Sequence, residues 1–293
     1  MTRTTFDREN GSVLSAATLA APATLLVAAG LVVPLAILLR YSLNQFIPGQ
    51  FMTEALTLEN YVRFVADPYF RGILGQTIGI AALVTAICIV IGFPLAYVLA
   101  RAGGRFKSLL ILAIVLPLFV GNAVRAAGWM IAFGTNGVVN YVGLGLGILN
   151  QPLEIMYTPT AVIIGIVAVN LPFVILSFQT VLEGISRSVE EAAFNLGAGP
   201  LATTRRIILP LAMPGIISGA TLSFILTMNA YATPVLLGGP SFVMMGPLVY
   251  SQVMTQMNWP FGAAASFILM LATLVLTTIG HLIVQRRYSS GRN

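Results

Sequence analysis

Six stretches of this chain, residues 14–39, 72–100, 109–133, 160–182, 212–237 and 263–284, each run for more than twenty residues, and Arg125 is the only Asp, Glu, Lys or Arg in any of them. About 20 apolar residues are what a helix needs to cross the hydrocarbon of a bilayer. Inside that layer a segment must satisfy its own backbone, so helices or a closed barrel are the only solutions. Barrel strands read as alternating runs of about ten residues, and these stretches do not alternate. The expectation is an all-α membrane protein with six transmembrane helices in a single domain over residues 1–293. Composition agrees: 57% of residues are hydrophobic and 8% charged, against about 25% charged in soluble domains.

Charge placement orients the spans. Arg3 and Arg8 precede the first span. Arg101, Arg105 and Lys107 separate the second from the third. Arg187, Arg205 and Arg206 separate the fourth from the fifth, and Arg286, Arg287 and Arg292 form the tail. The opposite side carries Arg40, Arg63 and Arg71. Basic residues gather on the cytoplasmic side, so both termini are expected in the cytoplasm. The net charge of +6 is then a topology signal, with no nucleic-acid partner implied. The first apolar run is too long for a cleaved signal core of about 7–15 residues. The single cysteine, Cys88, excludes a disulfide or a cysteine metal site within the chain.

The longest polar-rich interruption in the second half is SVEEAAFNLGAGPLATTRRIILPLAMPG, residues 188–215. Ser188 and Glu191 have the spacing of a capping box. Val189, Ala192, Ala193 and Leu196 then recur at helical spacing to form an apolar face, with Glu190, Glu191 and Asn195 opposite. Gly197 suits a left-handed helix end, and Pro200 suits the first position of a second helix. Arg205 and Arg206 fall near that helix's end, before Pro210 and Pro214 turn the chain back to the membrane. The small apolar face and two glutamates suit docking on a protein better than lying on lipid, where bulky apolar residues and a basic polar face are the rule. Phe194, off the apolar face, either plugs into a partner or packs back on the chain's own spans.

Glu191-Ala192-Ala193, Gly197, Ile207 and Leu209-Pro210 match, at every position and spacing, the EAA motif of inner-membrane subunits of bacterial ABC importers. The chain resembles that family over essentially its whole length. The resemblance implies a type I importer permease fold, with cytoplasmic coupling helices at residues 183–211 between spans four and five. Glu190, Glu191, Ala192, Ala193, Phe194, Gly197, Arg205 and Pro210 would engage a separate ATPase. The chain lacks a G-x-x-x-x-G-K-[ST] phosphate loop, so ATP and magnesium would sit on that partner and no cofactor on this chain. Implied partners are two ATPase copies, a second permease subunit, a periplasmic solute-binding protein and the bilayer. The implied location is the bacterial inner membrane.

The segments VRAAGWMIAFGTNGVVN (124–140), AYATPVLLGGPS (230–241) and NWPFGAAAS (258–266) resemble the spermidine/putrescine-type branch, in particular its first permease subunit. That implies polyamine import. Related branches carry opines, amino-acid-like solutes, phosphonates, thiamine or iron.

Polar groups at membrane depth face a cavity or one another. Here they are Gln76, Asn122, Arg125, Asn170, Gln179, Asn229, Tyr231 and His281. Asn122, Arg125, Asn170, Asn229 and Tyr231 are candidates for the solute path. Asn170 and Asn229 share a design, an amide close to a proline, and the alternative for each is interhelical glue. Arg125, read on a straight third span, would sit roughly 12 Å deep and repel a polyamine if it faced the path unpaired. His281, near the cytoplasmic end, reads as structural, and Gly215 with Gly219 as a close helix contact. A secondary transporter would show a midplane ionisable pair, and an intramembrane enzyme a nucleophile with its base. The chain's one histidine has no such companion.

Overall fold

The computed structural model describes residues 4–49, 52–240 and 242–289, with side chains between 21 and 283. Arg3, Arg292, Ser241 and the side chains of Arg8, Arg286 and Arg287 lie outside the described residues.

The elements are helical throughout, apart from an isolated bridge pairing Gln45 with Thr53. In order they are α1 (Thr4–Ser42), α2 (Glu59–Ala66), α3 (Pro68–Arg101), α4 (Gly104–Val115), α5 (Asn122–Phe133), α6 (Val138–Gly145) and α7 (Pro159–Glu183). There follow α8 (Arg187–Asn195), α9 (Pro200–Thr203), α10 (Leu209–Leu211), α11 (Met213–Met228), α12 (Ala232–Gly238), α13 (Met245–Tyr250) and α14 (Trp259–Ser289).

Four helices are each long and apolar enough to span a bilayer, in α1, α3, α7 and α14. Two bent pairs bring the number to six, if each pair is one span. The bends correct two expected spans. The third, expected straight over 109–133, becomes 3-10 at Leu116–Phe119, where Pro117 removes a donor. It then breaks at residues 120–121, and the next helical segment leaves at 99°. The fifth, expected over 212–237, stops at Met228. Asn229 ends α11 and Tyr231 is non-helical. Pro234 then occupies the first turn of α12, where its missing N–H costs nothing. The expected loop between spans five and six is likewise no loop. Phe242, Met244, Met245 and Leu248 are buried there.

Helices α3, α7 and α11 pack on one another and form the core. Val84, Cys88 and Ala96 of α3 meet Val174, Phe178 and Leu182 of α7, with Ile216 of α11. Close approach of α7 and α11 depends on the expected glycine pair. A Cβ at Gly215 would stand 2.8 Å from Val181, and one at Gly219 would stand 2.6 Å from Phe178. A second cluster, around Phe64, Phe70, Phe261 and Met245, joins α2, α3, α13 and α14. Phe70 and Phe261 sit 4.7 Å apart there, and Arg63 caps the Phe261 ring at 5.0 Å. Helix α1 touches α14 and presents Leu25, Leu26 and Leu31 outward, as a lipid-facing helix does.

Candidate functional site: a capped two-helix segment and a groove

The polar segment after α7 begins two residues earlier than its capping box suggests. Ile185 is buried and ends the turn out of α7. Ser186, extended at φ −60° and ψ 138°, is the N-cap, and its hydroxyl accepts from the Ser188 N–H. Ser188 is already helical, so the expected Ser188–Glu191 box gives way to a Ser186 cap. At the other end Gly197 has φ +81°. Its N–H donates to the Phe194 carbonyl at 2.9 Å, and the Ala198 N–H to the Ala193 carbonyl at 3.0 Å. These two bonds are the Schellman closure that glycine permits.

The orientation of α8 differs from expectation. Of the expected apolar face, only Ala193 is buried. Val189, Ala192 and Leu196 point away from the chain. With Phe194 (47% exposed), Leu196 (89%) and Leu201 (81%) they make an outward apolar patch, rimmed by exposed Glu191, Arg205 and Arg206. Phe194 thus leans outward. Glu190, expected on the outer polar face with Glu191, is instead buried. Successive helical residues diverge by about 100°, so one glutamate faces in and the other out. Beyond Pro200, which opens α9, residues Thr204–Ile208 form a π-turn. In it the Leu209 N–H reaches back five residues to the Thr204 carbonyl. Half-buried Pro210 follows. The chain then turns by 71° into α11.

Glu190 pairs with Arg101, at the end of α3, and accepts a hydrogen bond from the Tyr97 hydroxyl at 2.7 Å. Arg101 Nη1 also donates to the carbonyls of Leu182 (3.3 Å) and Ile185 (3.1 Å). Arg187 donates to the Arg101 carbonyl at 2.7 Å. Beside this cluster, Glu183 accepts from Gln179 at 2.8 Å and pairs with Lys107 at 2.7 Å.

At the other end of the bundle, a groove of about 730 Å³ opens between α11, α13 and α14. Asn229, Tyr231 and Tyr250 supply its polar edge, while Val249, Leu269 and Met270 supply apolar wall. The rings of Tyr231 and Tyr250 are 4.6 Å apart, and Asn229 donates only to its own helix, at the Ile225 carbonyl (2.9 Å). The break that carries these residues is held from behind by Gly246. A Cβ there would come within 2.4 Å of the Ala230 carbonyl oxygen.

The other path candidates lie elsewhere. Asn170 is 1% exposed and donates to the Ser223 carbonyl (3.2 Å), the Ser223 hydroxyl (3.3 Å) and Thr227 Oγ1 (2.8 Å). It joins α7 to α11 and does not line the groove. Asn122 is exposed at the first position of α5. Arg125 sits on α5 beyond the 99° bend, so the depth expected on a straight span does not apply. Its Nη2 donates to the Val120 carbonyl at 2.8 Å, while Nε and Nη1 are buried without a partner among the described residues. Neither residue lines the groove.

Sequence reasoning missed three residues. Arg101 was absorbed into the topology count, and Tyr97 was hidden inside an apolar run. Tyr250 fell in what was read as a loop. A signal for Arg101 was available, since an arginine ending a long helix finds helix-end carbonyls within reach.

Four long apolar helices and two bent apolar pairs, with a capped two-helix segment among them, make the architecture of a multi-pass membrane protein. Residues 88–289 match the family described as the binding-protein-dependent transport system inner membrane component, and the chain belongs to that family. It is a transport subunit, not an enzyme. Among its relatives is the spermidine/putrescine transport system permease protein PotB of Escherichia coli K12. That protein is 36% identical over 221 residues, covering 75% of this chain and 80% of the relative. The PotB of Haemophilus influenzae is 34% identical over 218 residues, with 74% and 76% covered. The inner membrane ABC transporter permease protein YdcU of E. coli K12 is 31% identical over 246 residues, covering 79% and 77%. A chain of the bacterial alginate ABC transporter, solved with an alginate pentasaccharide-bound periplasmic protein, superposes with a TM-score of 0.78. It is 16% identical and covers 98% of both chains. A chain of the inward-facing MetNI methionine ABC transporter gives a TM-score of 0.58 at 19% identity, with 75% of this chain and 98% of that one covered. The fold is that of a type I ABC importer permease, and the chain is a multi-pass inner membrane protein.

Proposed function

We propose that this chain is one of two permease subunits of an importer that moves a polyamine from a periplasmic binding protein into the cytoplasm. The observation that carries the substrate class is its identity to spermidine/putrescine permeases over three quarters of its length. The groove is consistent with such a solute. Tyrosine faces attract ammonium groups, and the apolar wall accommodates methylenes. Among the residues lining the groove none is acidic, so the second permease would supply the counter-charge. Arg125, bonded to Val120 outside the groove, no longer argues against a cationic solute.

Two ATPase copies, carrying ATP and magnesium, would receive the outward patch of α8 and α9. The loaded binding protein docks outside, ATP closes the ATPases, and the coupling helices convey that closure to the spans. The solute enters the outward cavity, and hydrolysis resets the inward-facing state. Both termini and the coupling segment are cytoplasmic in this reading. Two experiments test it. Expression with its partner genes in cells lacking polyamine uptake should restore spermidine or putrescine accumulation; restoration of another solute's uptake instead would reassign the substrate. A cysteine at exposed Ser188 should resist an impermeant thiol reagent in intact cells, whereas one at exposed Gln151 should react. The reverse pattern overturns the orientation.

A further inference from the structure

The ends of three helices meet at one guanidinium. Arg101 closes α3 and donates to Glu190 of α8. It also donates to Leu182 of α7 and to Ile185 in the turn between α7 and α8. The last carbonyls of a helix have no partner within it, so Arg101 satisfies the end of α7 while gripping α8. The arrangement is reciprocal, because Arg187 at the start of α8 donates to the Arg101 carbonyl. Tyr97, one turn back on α3, holds the second oxygen of the Glu190 carboxylate. The Arg101 and Glu190 side chains are 15% and 11% exposed, so water screens the pair weakly.

The rest of α8's attachment is slight. Among the described residues its buried side chains are Glu190 and Ala193 alone, and Ala193 offers a single methyl. The apolar side of α8 faces away. Any push received on that outward patch passes into the bundle through the chain on either side of α8, through Arg187, or through Glu190. Helix α3 packs on both α7 and α11, so a load delivered to Arg101 enters the core directly.

We infer that Glu190, held by Arg101 and Tyr97, is the positioning residue that ties the coupling helix to α3. Through it, movement of the ATPase reaches the core without passing through the chain connection at residues 184–186. The inference rests on α8 being the ATPase-facing lever. An arginine is required because one planar group must donate in three directions, which a lysine ammonium on a flexible stem does not reproduce.

The test uses the complete complex, permeases with ATPase and binding protein, in proteoliposomes, reading solute moved per ATP hydrolysed. A purely structural role would lower the amount of complex without changing that ratio. Glu190→Ala should lower the ratio about tenfold, within the usual range of coupling between sites. Tyr97→Phe should lower it about threefold, the scale of one hydrogen bond, and Arg101→Lys should fall between. Combined with Glu190→Ala, Tyr97→Phe should cause no further loss. Wild-type ratios, or additive losses in the double variant, overturn the tether. If Glu190→Ala does not fold, wild-type ratios in both Tyr97→Phe and Arg101→Lys overturn it equally. Co-purification separates this from the reading beneath it. A wild-type chain that retains no ATPase removes the lever itself, whereas one that retains it, with unaltered ratios in the variants, removes the tether alone.

Discussion

At the end of the bundle that carries α8, Tyr97, Arg101, Arg187 and Glu190 exchange hydrogen bonds with one another and with helix-end carbonyls. At the opposite end, Asn229, Tyr231 and Tyr250 stand around an open groove. The groups of the first set are, apart from Tyr97, charged, and all are committed, whereas those of the second are neutral and largely uncommitted. The difference fits the roles proposed above for the two ends. A joint that passes force needs one geometry, and charge-assisted hydrogen bonds to fixed carbonyls specify one. A path that passes a solute needs groups that can replace its hydration and then release it. Asn170 and Asn229 show the same division within one residue type. Both stand near a proline, yet one amide is spent across a helix interface and the other lines a cavity.

The sharpest way to break this contrast is to disturb the groove at a lining residue that has no side chain. Gly246→Ala places a Cβ about 2.4 Å from the Ala230 carbonyl oxygen. Backbone meets backbone, so no rotamer change relieves the clash, and overpacking of this kind costs about 1–3 kcal/mol or more. The break at residues 229–231 should shift. The purified complex should melt several degrees lower, and transport should fall severely while the ATPase remains bound. Wild-type transport would mean that the groove's shape does not depend on Gly246.

At the end that carries α8, Gly197→Val isolates backbone strain, because a Cβ there meets nothing within 4 Å. A branched residue at φ +81° is strained by about 1–2 kcal/mol. The corner between α8 and α9 should reorient and uncouple ATP hydrolysis from transport, with binding-protein docking retained. Gly197→Asn, tolerant of left-handed backbone, should retain most coupling. Equal behaviour of the two variants would show that the corner's conformation is immaterial.

The asymmetry also explains what could be read from the chain. The glycine end and the Pro200 start of the coupling helices were legible because each is a local backbone demand tied to one residue type. The orientation of α8 was not. Its inward glutamate depends on Arg101, 89 positions earlier, and a helical wheel by itself predicted the opposite face. The glycine pair on α11 was readable as close packing, whereas the two bends were not. Apolar periodicity does not register where a helix stops when both sides of the stop are apolar. Thus Pro117 lies unmarked inside a hydrophobic run, and Pro234, although legible as a proline near Asn229, does not by itself show where the helix stops. Tyr250 was invisible for the same reason, being part of a buried excursion that hydropathy reads as a loop.

The smallest effects on stability, and the finest test of the contrast, come from the two asparagines. Asn170→Leu removes contacts worth about 0.6 kcal/mol each on average in membranes and leaves the Ser223 and Thr227 oxygens with fewer donors. It should lower the melting temperature slightly, and transport per folded complex should be unchanged. Asn229→Leu removes a bond within its own helix end, at Ile225, so the melting temperature should barely move. Its effect should appear in transport, because an apolar group then replaces an amide at the groove's edge. Tyr231→Leu should act likewise, removing one ring of the pair 4.6 Å apart. Both groove variants should leave the binding protein's solute affinity unaltered, since that affinity belongs to another chain. If instead Asn170→Leu impairs transport per complex and Asn229→Leu does not, the solute passes between α7 and α11, and the division between helix contact and path must be reversed.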